Sequence, residues 1–186
     1  MKNTKGFTLF EVLISITIGV TLLILLLSIY SLSMKSLSSG QKKAELTQDS
    51  RIVMERITRD IRETRHIATT LPQEKDDPQN PPPSEIEIQD GHIGTLQYIK
   101  YYLSDTNLRR QIIQYYFETE PEILVPYDAE DDFGNAPEVN IISDNLVGKF
   151  IENINYFGSN PIHIEITLKI GEITHTTRSD IYGRNL

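Results

Sequence analysis

The chain has 186 residues, of which 39% are hydrophobic, and its 18 Lys+Arg against 26 Asp+Glu give a formal charge of -8. So acidic a chain repels phosphate backbones, and no nucleic acid partner is expected. There is no cysteine, which excludes structural disulfides and thiol chemistry, and the length suits one domain plus an anchor.

The N-terminus reads Lys5-Gly6-Phe7-Thr8-Leu9-Phe10-Glu11-Val12-Leu13-Ile14. Glu11 is the only early charge in an apolar run, and nothing from Val12 to Met34 is charged. About 20 residues at 1.5 Å rise cross a hydrocarbon core, so the run predicts a transmembrane helix. A secretory signal has a shorter apolar region with small residues at its C-terminal end. Here the small-residue boundary, Gly6, lies before the run. Lysines flank both ends (Lys2 and Lys5, then Lys35, Lys42 and Lys43), so charge does not fix orientation.

Lys-Gly-Phe-Thr-Leu-Phe-Glu-Val-Leu-Ile resembles the class III signal of type IV pilins and type II secretion pseudopilins. The resemblance implies that a prepilin peptidase cuts between Gly6 and Phe7 and methylates Phe7. It also implies a single-pass inner-membrane protein with its leader in the cytoplasm and its globular domain outside. The implied partners are other pilins or pseudopilins, the prepilin peptidase, an inner-membrane assembly platform and the lipid bilayer. Glu11 matches the family's assembly glutamate, which faces the N-terminal amine of a neighbouring subunit. Two unit charges at ~4 Å attract by about 4 kcal/mol at an effective dielectric of 20, and an unpaired carboxylate in a bilayer is costly. A glutamate wetted by headgroups is the plainer reading. One departure is visible: many major pilins carry a kinking proline in this run, and here there is none, with Ser28 near its place.

From Ser33 to about Thr69 there is no proline and one glycine, Gly40, so the helix is expected to continue. Leu46, Val53, Ile57, Ile61 and Ala68 recur at helical spacing, with Met54 beside them. Leu46, Val53, Ile57 and Ile61 are the expected docking face for a sheet. Arg51 with Glu55, Glu55 with Arg59, Arg56 with Asp60, and Arg59 with Glu63 sit four apart as helix-surface pairs. The segment Asp49-Ser50-Arg51-Ile52-Val53-Met54-Glu55-Arg56-Ile57-Thr58-Arg59-Asp60-Ile61-Arg62 resembles the same helix in the minor pilins called PilW and in minor pseudopilin J. The domain reading is a cleaved leader at 1–6, a transmembrane half-helix at 7–34, its soluble half at 35–69, and a sheet domain at 70–186.

Leu71 to Ser84 is proline-rich and polar, an extended connection. Glu85 to Ile88 alternates as a short strand. Leu96 to Leu103 and Leu108 to Phe117 predict a hairpin around Ser104-Asp105-Thr106-Asn107. Tyr98, Tyr101, Tyr102, Tyr115 and Tyr116 on it read as cross-strand pairs rather than a sugar-stacking face. This hairpin also resembles that of pseudopilin J. Glu118 to Glu138 reads as an acidic loop. Its carboxylates at 128–132 fail the EF-hand spacing, so a solvated loop is preferred over calcium binding. A helical turn around Asn145–Val147 is expected before a strand at Phe150–Tyr156. Ile162 to Ile170 alternates strongly, turns at Gly171-Glu172 and returns through Ile181.

The expected fold class is α+β, a pilin fold with one long helix on an antiparallel sheet. No catalytic residues, metal site or cofactor are expected. His66, His92, His163 and His175 match no zinc spacing, and no nucleophile or phosphate-loop motif occurs. The expected function is a minor pilin or pseudopilin at or near a filament tip, not an enzyme. The alternatives are a tip adhesin, a competence-pilus subunit or a membrane-anchored enzyme.

Overall fold

No proline occurs before Pro72. In the computed structural model, which describes residues 8–91 and 94–183, one helix, α1 (Leu9–Glu63), occupies that stretch. Eight strands follow: β1 (Ile86–Gln89), β2 (Tyr98–Ser104), β3 (Asn107–Phe117), β4 (Glu120–Val125), β5 (Glu138–Gly148), β6 (Ile151–Phe157), β7 (Ile162–Ile170) and β8 (Ile173–Ile181). Helix first and strands after, all paired antiparallel, make the fold α+β.

The chain divides into two compact units, Met1–Lys42 and Lys43–Leu186. In the first, every described residue is exposed, and α1 is long and apolar enough there to cross a membrane. In the second, burial begins at Leu46.

The second unit holds two sheets where the sequence predicts one. The larger has β1, β2, β3 and β4 paired in that order, and β5 pairs with β3 as well. Tyr115 pairs with both Val125 of β4 and Val139 of β5, so those two strands lie on opposite edges of β3. The smaller sheet is β6-β7-β8, with Ile162 opposite Ile181 and Ile170 opposite Ile173. Its two-residue turn needs φ +62 at Gly171, a conformation glycine adopts without strain. One hydrophobic cluster joins Leu46, Val53, Ile57 and Ile61 of α1 to Ile86, Ile99 and Leu108 of the larger sheet and Ile154, Ile164 and Ile166 of the smaller.

Three expectations are corrected. The acidic stretch 118–138 is not all loop, because β4 pairs with the end of β3 that reaches past β2. Asn145–Val147 is not a helical turn but part of β5, held by β3 in a ladder whose register shifts at two places. The helix stops at Glu63, short of Thr69. Beyond it Thr64 Oγ1 donates to the Gln89 carbonyl at 2.7 Å and Ala68 N to the Glu87 carbonyl at 2.9 Å, so the backbone turns to run beside β1. Gly91 lies against that helix end; a Cβ there would fall 1.7 Å from the Glu63 carbonyl oxygen.

Candidate functional site

Thr8 precedes the first residue of α1, and Glu11 is the third residue inside it. Thr8 N and Thr8 Oγ1 donate to Glu11 Oε2 at 2.9 and 2.8 Å, and Glu11 N donates to Thr8 Oγ1 at 3.3 Å. This is a capping box, which satisfies two of the amides that a helix start leaves without partners. Sequence reasoning gave Glu11 a charge partner only in another subunit, yet its carboxylate already has partners in its own chain. The signal was present as Thr-x-x-Glu ahead of an apolar run. Gly6 and Phe7, the expected cleavage and methylation positions, lie outside the described residues.

Along the apolar half of α1 the hydroxyls are turned back onto the helix. Ser15, Thr17, Thr21 and Ser28 each donate to the carbonyl four residues earlier at 2.8 Å. An unpaired hydroxyl in hydrocarbon is costly, and these are paired within the helix. The surface from Val12 to Ile29 is therefore apolar in effect, with Leu26 and Ile29 each 65% exposed.

In the second unit, Leu46, Val53, Ile57 and Ile61 are all fully buried. A Cβ on Gly148, at the end of β5, would come within 2.3 Å of Val53 Cγ2, so the strand approaches the helix closely there. The same stripe carries polar residues: Leu46, Ser50, Val53, Ile57, Asp60 and Thr64 follow a four-three spacing, and all six are buried. Asp60 was expected as a surface partner of Arg56. It is 4% exposed instead, and its Oδ2 accepts from Tyr101 Oη and Arg110 Nε, both at 2.7 Å. Arg56 Nε stands at 3.9 Å from the same oxygen. Burial alone would depress the Arg110 guanidinium, but the Asp60 carboxylate holds it above its ordinary pKa. Burial and then the same carboxylate push the Tyr101 hydroxyl up. A carboxylate on a core stripe was the signal for this network.

The tyrosines do not share one solvent face. Tyr98 and Tyr101 are buried, and Tyr98 packs edge-on against Tyr115 and Tyr127. Tyr102 donates to Asp144 at 2.9 Å, and Tyr115 donates to Glu87 at 2.7 Å. Burial holds the Glu87 carboxyl above its usual range despite that bond. In the acidic segment, Asp131 Oδ1 accepts from Phe133 N and Asn135 N at 2.8 Å, and its Oδ2 accepts from the Asn135 amide at 2.9 Å. The Asn135 bonds keep the Asp131 carboxyl below its usual range. The turn leaves Phe133 88% exposed. Among the described residues no group of His, Asp or Glu is placed to hold a metal ion.

Residues 1–27 match the family model for the prokaryotic N-terminal methylation motif. The match supports the pilin and pseudopilin superfamily and, with the long apolar helix, prepilin-type methylation, a pilin fold and a transmembrane helix. Chains with this motif are processed by a prepilin peptidase, anchored by a single span and assembled with other pilins. Comparison with curated proteins and with solved structures gives no match.

Proposed function

We propose that the chain is a minor pilin or pseudopilin, a subunit of a type IV pilus or type II secretion pseudopilus placed at or near the filament end. It is made with a leader at 1–6, cut after Gly6 and methylated on Phe7. The span at 7–34 holds it in the inner membrane with the second unit outside the cytoplasm, until an assembly platform draws it into the filament. There Glu11 meets the N-terminal amine of a neighbour and sets the axial register. The likeness of the stretch from Asp49 to Arg62 to PilW and pseudopilin J supports the minor class.

The observation that carries this reading is a methylation motif at residues 1–27 leading into a helix that is wholly exposed through its apolar part and buries one face from Leu46 on. Apolar surface on that scale needs a covering of lipid or of other helices. Mass spectrometry of the mature N-terminus tests it. The expected product begins at N-methylated Phe7, and a chain that keeps Met1 in the membrane overturns the assignment. A deletion strain scored for piliation, DNA uptake and protein secretion identifies the machine.

A further inference from the structure

The molecule covers two of its sheet edges with its own backbone. Outside β1, Ala68 N donates to the Glu87 carbonyl at 2.9 Å and Gln89 N to the His66 carbonyl at 2.8 Å. Outside β6, Tyr156 N donates to the Pro83 carbonyl at 3.3 Å, Gly158 N to the Pro72 carbonyl at 2.7 Å and Ile151 N to the Thr106 carbonyl at 2.9 Å. β5 is uncovered, but two register shifts break its ladder and it carries Glu138 and Asp144. Covering, irregularity and charge are the usual protections of an edge.

β8 is bare by comparison. Among the described residues it pairs only with β7, in a register unbroken from Ile173 to Ile181. It holds no proline and no lysine. Its two charges are tied down: Arg178 Nε lies 3.3 Å from Asp180 Oδ1, and that oxygen lies 2.6 Å from His163 Nδ1 on β7. The two-residue turn at Gly171-Glu172 makes Ile170 and Ile173 a hydrogen-bonded pair, and such pairs alternate along an antiparallel ladder. The main-chain N–H and carbonyl of Thr174, Thr176, Arg178 and Asp180 therefore point away from β7, and all four residues are exposed.

On the helix side of this edge an open groove of about 710 Å³ lies between α1 and β8. Thr47, Ser50, Met54 and Thr58 line it from the helix, and His175 and Thr177 from the strand. Its walls are hydroxyls around one thioether, with Thr177 Oγ1 donating to Ser50 Oγ at 3.4 Å. Arg51, Arg59 and Arg62 also line it, against Glu55 and Glu63. Glu55 is 4.0 Å from Arg59, and Glu63 has a partner of its own. Charge therefore does not select what enters; shape and main-chain hydrogen bonds do.

We propose that β8 takes up one extended, proline-free strand of a different protein chain as a fourth strand of the smaller sheet. The added strand lies about 4.8 Å beyond β8. Its main chain pairs with Thr174, Thr176, Arg178 and Asp180. Every second side chain turns into the groove, where threonine, serine or valine fits between the hydroxyls and Met54. A regular row of donors and acceptors has another extended backbone as its complement, and this fixes the class of partner. The choice of a different chain over a second copy rests on the filament-end reading, in which few copies of this subunit meet. The edge itself does not depend on that reading.

The test titrates the full-length chain in detergent, against empty micelles, with a fluorescein-labelled octapeptide of alternating threonine and valine, extended by a lysine at each end for solubility. The expected result is saturable binding. N-methylation of the central peptide residues removes main-chain donors and keeps the side chains, and should weaken binding roughly tenfold or more. Thr176→Pro removes one outward N–H at a place where an edge strand accommodates proline, and should weaken binding as much. Thr176→Ala should leave it unchanged. If Thr176→Pro alters the circular dichroism spectrum, the methylated peptide decides alone. No binding, equal binding of the methylated peptide, or binding that survives in a folded Thr176→Pro chain overturns the inference. Sedimentation of the chain alone covers the other occupant: self-association that Thr176→Pro abolishes means a second copy, and overturns the choice of a different chain. The mature N-terminus is measured on the same preparation. A chain cut after Gly6 that binds no peptide defeats this inference and leaves the filament reading standing, whereas an uncut chain that binds defeats the filament reading and leaves the edge standing.

Discussion

Glu11 has two separable tasks available to it, one in the Thr8 box and one in its charge. Two substitutions divide them. Glu11→Gln keeps an acceptor for Thr8 N, since glutamine serves in capping boxes, but removes the charge. Thr8→Ala keeps the charge and removes the cap hydroxyl, at a cost of about 1 kcal/mol to the helix start. With assembly set by charge, Glu11→Gln should be made and cleaved normally yet be poorly recovered in sheared filaments, while Thr8→Ala assembles. The opposite pattern, scored by immunoblot of sheared and cell fractions, means that the cap matters and the register argument fails. The resemblance drew attention to the carboxylate and away from Thr8, although Thr-x-x-Glu is written in the chain.

At the level of elements, the tie between α1 and the larger sheet is polar at one point inside an apolar seam. Asp60 joins the helix to Tyr101 of β2 and Arg110 of β3. Asp60→Ala leaves a buried guanidinium without its partner and should cost about 3–5 kcal/mol. Replacing the set together, with Asp60→Leu, Tyr101→Phe and Arg110→Met, should recover most of that loss, because a buried ion pair is often matched by packed apolar groups. Chemical denaturation of both variants measures this, and an Asp60→Ala protein as stable as the parent would show the pair to be idle. The apolar positions of this seam were readable because Leu46, Val53, Ile57 and Ile61 keep a helical period. Asp60 lies on the same period, but a charge four residues from Arg56 is equally consistent with a surface pair. β7 and β8 were readable for a related reason: on β7 every second residue from Ile162 to Leu168 is buried, which is the alternation of a half-buried strand. β5 was not, since nearly all its residues are exposed and two register shifts break any period of two. Its pairing depends on what β3 leaves open, a long-range fact that no local window contains.

For the molecule as a whole, Lys43 is where one compact unit ends and the other starts. A fragment beginning at Lys43 should be soluble without detergent and rich in strand by circular dichroism, because the buried cluster starts at Leu46 and draws nothing from the apolar half of the helix. Cooperative thermal unfolding of that fragment checks the division, and a fragment that precipitates or melts without a transition refutes it. Hydropathy along the helix ends the apolar half at Met34, some way before the division at Lys43, and it says nothing of the splitting of the strands into two sheets. β5 carries a wider consequence. It pairs only with β3 among the described strands, and Val139, Ile141 and Ile142 on it are each at least 50% exposed. A long edge strand with apolar side chains is a template for unwanted pairing, and Glu138, Asp144 and Lys149 are the few charges guarding it. Subunits idling before use are therefore perishable goods: aggregation rises steeply with their concentration, and a cell that makes this protein gains by matching its synthesis to its consumption.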